Sequence, residues 1–209
     1  EAAAYLFAGE DEFFVPYLDA ILKPHVNDDR ILLWDLCNEP FNSAWCDASR
    51  NLILGWLGRV RDRAKELGVT APIGVGSVPG MDSIRMLEPL SDVITSHPYF
   101  MWNGGMDGSQ QFENFVDEAI AFGKSVGKPM LATETGWGAM DDKKRSEVLA
   151  VELGALAKRG VGFVVQLLHH TRVADGHRPE YGPISGAGYM AFVEKDGSLR
   201  PYHDVFNTF

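Results

Sequence analysis

Apolar residues recur along the chain with two alternating periods. From Phe13 to about Leu22 they fall at helical spacing, and Pro24 stops the pattern. Residues 31–37 form a continuous apolar run, the signature of a strand buried on both faces. Ile53, Trp56, Leu57, Val60, Ala64 and Leu67 then make one helical stripe, closed by Gly68 at the position after the C-cap. A short strand is predicted over 72–77, a short helix over 83–90 and a strand over 93–96, ending in His97-Pro98-Tyr99. Phe112, Phe115, Val116, Ala119 and Phe122 or Gly123 form the next helical face, followed by a strand over 130–133. A helix around Val148, Val151 and Leu156 closes at Gly160, and 161–168 is the last apolar strand. A Gly/Pro-rich loop over 175–188 precedes a short C-terminal stretch with a turn at Asp196-Gly197.

Strands alternating with amphipathic helices predict parallel βαβ units. Five strands are visible, and repeats of about 20–40 residues suit a (β/α)8 barrel. A full barrel needs eight strands and about 250 residues, more than the 209 present. The expectation is therefore a single catalytic barrel domain over 1–209, N-terminally incomplete, covering about strands 4–8 with the first three absent. Five strands cannot close a barrel, so a complementing N-terminal segment or self-association is the expected remedy for the open edge.

Composition changes this picture little. The chain is 45% hydrophobic and 23% charged, ordinary for a globular domain. A net charge of −10 argues against nucleic acid or an anionic membrane as partner. No stretch approaches the roughly 18 apolar residues of a spanning helix. Residues 1–5 carry no basic n-region, so no targeting signal is read from them. Cys37 reads as a small buried thiol, and a Cys37–Cys46 bridge is open; neither residue fixes the compartment.

The candidate chemistry lies at strand ends. Asn38-Glu39-Pro40 closes the first apolar run, and Glu134 closes another 95 residues later, about three βα units on. Side chains at the C-terminal ends of parallel barrel strands point into one cleft. Two carboxyls there are what glycosidic bond cleavage requires, one to donate a proton and one to attack carbon. That chemistry also needs the pair in different protonation states at working pH. Trp102 and Trp137, on loops after strand ends, are candidates to stack on sugar faces. Trp56 reads as core, and His25 and His203 as surface residues. His169, His170 and His177 lack a carboxylate or further histidine at metal-ligand spacing, so neither metal nor cofactor is expected.

These residues resemble a known group. Trp34-Asp35-Leu36-Cys37-Asn38-Glu39-Pro40 looks like the fourth strand of the clan A glycoside hydrolases, cellulase-like barrel enzymes of the family-five type. Thr133-Glu134-Thr135-Gly136-Trp137-Gly138 looks like the end of that clan's seventh strand, and His97-Pro98-Tyr99 like that of its sixth. The resemblance covers roughly residues 12–206. It implies Glu39 as general acid/base, Glu134 as nucleophile and Asn38 as partner of the sugar 2-hydroxyl. It implies Tyr99 as the group that holds Glu134, and His97 as part of the sugar subsite. It also implies a retaining β-glycosidase with a poly- or oligosaccharide substrate. Where relatives commonly end the eighth strand in a tryptophan, this chain reads Gln166-Leu167-Leu168-His169-His170, which makes His169 a candidate substrate contact. The rival expectation is a non-catalytic carbohydrate-binding or structural barrel remnant.

Overall fold

The computed structural model describes residues 11–44, 46–99, 108–184 and 188–209. The chain divides into two compact units, residues 1–96 with 123–129, and 97–122 with 130–209.

In the first unit, α1 (Asp11–Leu22) packs on α2 (Asp47–Glu66), and Arg63 grips Asp19 with bonds of 2.8 and 2.7 Å. The predicted stripe of α2 is buried as Ile53, Trp56, Leu57, Val60 and Ala64. Gly68 follows its C-cap Leu67 with φ of +84°, a left-handed conformation that costs glycine little. Strand β1 (Trp34–Asn38) runs parallel to β2 (Ile73–Gly76). After α3 (Met81–Leu87) comes β3 (Ile94–Ser96), which joins β2 through a parallel Ser77–Ser96 bridge. The two strands are close. A Cβ on Gly74 would lie 2.6 Å from Thr95 Cγ2, so only glycine fits. Phe41, Ile53, Trp56, Leu57, Val60, Val75 and Leu87 form one buried cluster; Leu22, Ala64, Val69 and Ile73 form another.

In the second unit, β4 (Met130–Thr135) runs parallel to β5 (Gly162–Val165), linked by α5 (Asp142–Lys158). Helix α4 (Ser109–Ser125) buries Phe112, Phe115, Val116 and Ala119 as its pattern predicts. Arg159, just past α5, binds Glu113 and Asp117 of α4. Residues 188–200 are pinned to the start of α5 by Arg200, which donates to Asp142 and, at 2.6 Å, to the Tyr189 carbonyl.

The chain is thus α/β with parallel strand pairs, and all five predicted strands and five predicted helices are present. Two expectations are corrected. The run over 31–37 is a strand only from Trp34, and none of β1 is fully buried; Leu32 is 75% exposed. Among the described residues β1 pairs with β2 alone, so a run that reads as central lies at a sheet edge. The last strand likewise stops at Val165, with Val164 57% and Leu168 62% exposed. Both cysteines are free. Half-buried Cys37 has its thiol pushed up to about 11 by burial and by Asp35. Cys46 occupies the N-cap of α2, where bonds from Ser49 lower its pKa. Among the described residues no helix is long and apolar enough to cross a membrane.

Candidate active site

Both candidate glutamates belong to parallel strand ends with the same irregularity, Glu39 just past β1 and Glu134 within β4. Along β1 the register runs Trp34 to Ile73, Asp35 to Gly74, then Asn38 to Gly76, so three residues advance against two. Along β4 it runs Leu131 to Gly162, Ala132 to Phe163, then Thr135 to Val165, again three against two. One extra residue is a β-bulge, which bends the strand and re-aims the side chains beyond it.

In the first unit, the bulge lets Asp35 Oδ1 accept from the Gly76 amide at 2.9 Å. The Glu39 amide donates to the Gly76 carbonyl, also at 2.9 Å. Glu39 has φ of +44° and ψ of 56°, a left-handed conformation that is uncommon for a residue with a side chain. Such strain persists where the surroundings impose it, and it clusters at functional sites. Pro40 follows, fixing the next φ, and the Asn42 amide donates to the Glu39 carboxylate. Asn38 is exposed at the strand end.

In the second unit, Glu134 lies inside the bulge, its side chain 20% exposed. The Tyr99 hydroxyl donates to Glu134 Oε1. His97, 1% exposed, places Nδ1 3.9 Å from Glu134 Oε2. The Gln166 amide, oriented to donate, lies 3.0 and 3.2 Å from the two carboxylate oxygens. Half-buried Trp137 packs edge-on against Tyr99, ring centroids 5.8 Å apart. Gly136 turns the chain after β4 with φ of +103°; a Cβ there would lie 2.8 Å from Val165 Cγ1.

His97, Tyr99, Trp137 and Glu134 are therefore neighbours, as their motifs predict. His169 is exposed; its Nδ1 bonds the His170 carbonyl at 2.8 Å, and it makes no hydrogen bond to Glu134. Trp102 lies outside the described residues. Gln166 stood in the sequence only as part of the last apolar run, and its role becomes visible once β5 is set beside β4. His203 corrects its reading as a surface residue: it is 1% exposed, and burial draws its pKa down to about 4. His25 is exposed.

Chemically, Glu134 is a largely shielded carboxylate with two donors on it. Donors to a carboxylate favour the charged form, and a charged carboxylate is what a nucleophile or an electrostatic stabiliser requires.

No protein-family model matches the chain, and no curated protein matches its sequence. Solved structures do. The chain is similar to Bifidobacterium dentium beta-glucuronidase complexed with coumarin-3-O-glucuronide, with a TM-score of 0.72 and 13% identity, over 97% of this chain and 34% of that one. It is similar to a GH2 beta-galacturonidase from Eisenbergiella tayi bound to galacturonate, with a TM-score of 0.72 and 19% identity, over 93% and 35%. It is also similar to GH5_18 from Streptomyces cattleya in complex with Manb1-4GlcNAc, with a TM-score of 0.72 and 16% identity, over 97% and 54%. The chain spans about a third of the length of the first two and about half of the third. At these identities what is shared is the fold, and the fold is one found in glycoside hydrolases.

Proposed function

We propose that this chain forms strands four to eight of a clan A, family-five-type (β/α)8 barrel. We further propose that it serves a retaining β-glycosidase acting on a poly- or oligosaccharide. The observation that carries the reading is the repeated strand end: two parallel strands, each with a one-residue bulge, each delivering a glutamate. The fold shared with glycoside hydrolases supports it.

In this reading Glu134 attacks the anomeric carbon and forms a covalent glycosyl-enzyme, while Glu39 gives its proton to the leaving oxygen. Glu39, now a carboxylate, takes a proton from water. The water oxygen attacks the anomeric carbon, the bond to Glu134 breaks, and Glu39 ends protonated as it began. Tyr99 and Gln166 donate to Glu134 and orient it for the attack. Asn38 bonds the sugar 2-hydroxyl, an interaction that strengthens in the transition state. His97 lines the sugar subsite. Trp137, Trp102 and His169 contact the sugar at the rim, the two tryptophans by stacking.

Substitution separates the roles. Glu134→Gln abolishes turnover, because an amide is not a nucleophile. Glu39→Gln loses most activity on substrates with poor leaving groups but keeps glycosylation on activated aryl glycosides, which need no proton. Azide then rescues deglycosylation in the Glu39 variant, since it needs no general base. Equal loss in both variants on activated substrates, with no azide rescue, overturns the assignment. Undiminished turnover in both overturns the two-glutamate assignment, whereas carbohydrate binding without turnover by wild type favours the binding-module alternative.

A further inference from the structure

Strand β4 ends at Thr135, and the chain turns at once through Gly136 to Trp137. Two charged side chains with no exposed surface hold that turn, and both come from α5: Arg145 and Glu152, each 0% exposed. Glu152 Oε1 lies 2.8 Å from the Thr135 hydroxyl, and its Oε2 accepts from the Trp137 amide at 3.3 Å. Arg145 Nε donates to the Trp137 carbonyl. Its Nη2 donates to the Gln166 carbonyl at 3.3 Å, and its Nη1 lies 3.1 Å from His203 Nε2. The Thr135 hydroxyl also reaches the Pro98 carbonyl, 2.6 Å away, beside Tyr99.

The backbone beside both donors to Glu134, Tyr99 and Gln166, is thereby tied to one helix. Trp137 is held at both its amide and its carbonyl, Gln166 at its carbonyl, and Tyr99 through Pro98 and Thr135. Burying two charges is costly before their bonds recover it, and apolar residues of similar volume often serve stability as well or better. Burial and Arg200 draw Arg145 down to about 9, which leaves the guanidinium charged at neutral pH. None of the Arg145 or Glu152 hydrogen bonds described here reaches the Glu134 carboxylate.

We propose that Arg145 and Glu152 are positioning residues that aim the Glu134 carboxylate by fixing the turn at 135–137 and the Gln166 backbone. The kinetic part of this proposal rests on the glycosidase reading above. In the full chain, Arg145→Lys and Glu152→Gln keep size and much of the polarity. With an activated aryl glycoside, kcat falls about 100-fold, the cost of about 1 Å of misplacement, while KM stays nearly constant. Arg145→Lys keeps more activity than Arg145→Met. A lower melting temperature with wild-type kcat per folded molecule overturns the proposal.

A readout without turnover separates this proposal from the function it builds on. In wild type, the 15N NMR signals of the Gln166 side-chain amide respond to Glu134→Gln. In the Arg145→Lys background that response disappears. Its persistence overturns the positioning role whether or not the chain is active. If wild type shows the response and turns over no glycoside, only the glycosidase reading fails.

Discussion

The Tyr99 hydroxyl on Glu134 gives the most direct prediction at the scale of one residue. Tyr99 is 3% exposed and donates to Glu134, and a hydrogen bond to a charged group contributes about 1.5–3 kcal/mol. Tyr99→Phe keeps the ring and its edge contact with Trp137 but removes the donor. The expected outcome is a loss in kcat/KM of roughly 10- to 100-fold on a substrate that wild type hydrolyses, larger than the accompanying fall of a few degrees in melting temperature explains. Steady-state kinetics on the pure variant checks it; a loss under about twofold shows that Gln166 alone suffices. Tyr99 was legible because it stands two residues past a strand beside a histidine. Gln166 was not, because hydrophobic patterning says nothing about which polar residue of a neighbouring strand faces a carboxylate. Arg145 and Glu152 were silent for a related reason. On a helix rich in Lys and Glu they read as solvated, and only the packed helix face reveals them as buried.

At the scale of the element, the five helices followed from apolar spacing and the five strands from their alternation with those helices; β2 and β3 are buried throughout. The exposure of β1 and β5 did not follow, since an apolar run has the same pattern whether one side or both sides are paired. The C-terminal turn, residues 203–208, belongs here too. His203 donates from Nδ1 to the Pro201 carbonyl at 2.8 Å, which leaves Nε2 to accept from Arg145 at 3.1 Å, so the folded ring is neutral. Its folded pKa, about 4, lies below the ordinary value of 6.5 because of burial. The unfolded chain therefore binds the proton first. The stabilisation is fully present above about pH 6.5 and is lost as pH falls through about 4. Between pH 7.5 and 5, wild type should lose about 2 kcal/mol more unfolding free energy than His203→Gln, whose amide oxygen can still accept from Arg145. Urea unfolding at the two pH values measures the difference. Equal losses in the two proteins would remove His203 as the source.

At the scale of the whole molecule, the proposed chemistry draws one carboxylate from each compact unit, Glu39 from the first and Glu134 from the second. Each unit builds its own strand end, but neither can hydrolyse a glycoside by double displacement alone. The separation of the two carboxyl groups decides the outcome: about 5–5.5 Å gives a covalent intermediate and retention, and about 6.5–9.5 Å admits a water and gives inversion. The proposed double displacement requires the shorter distance. Hydrolysis of a β-glycoside should therefore release the β-anomer first, with the α-anomer growing in only at the rate of mutarotation. Proton NMR of the anomeric signals in the first minutes of reaction reads this directly. If the α-anomer appears first, attack by Glu134 on the anomeric carbon is ruled out. The bulged strand ends would then serve an inverting hydrolase, with Glu134 as the base that activates water.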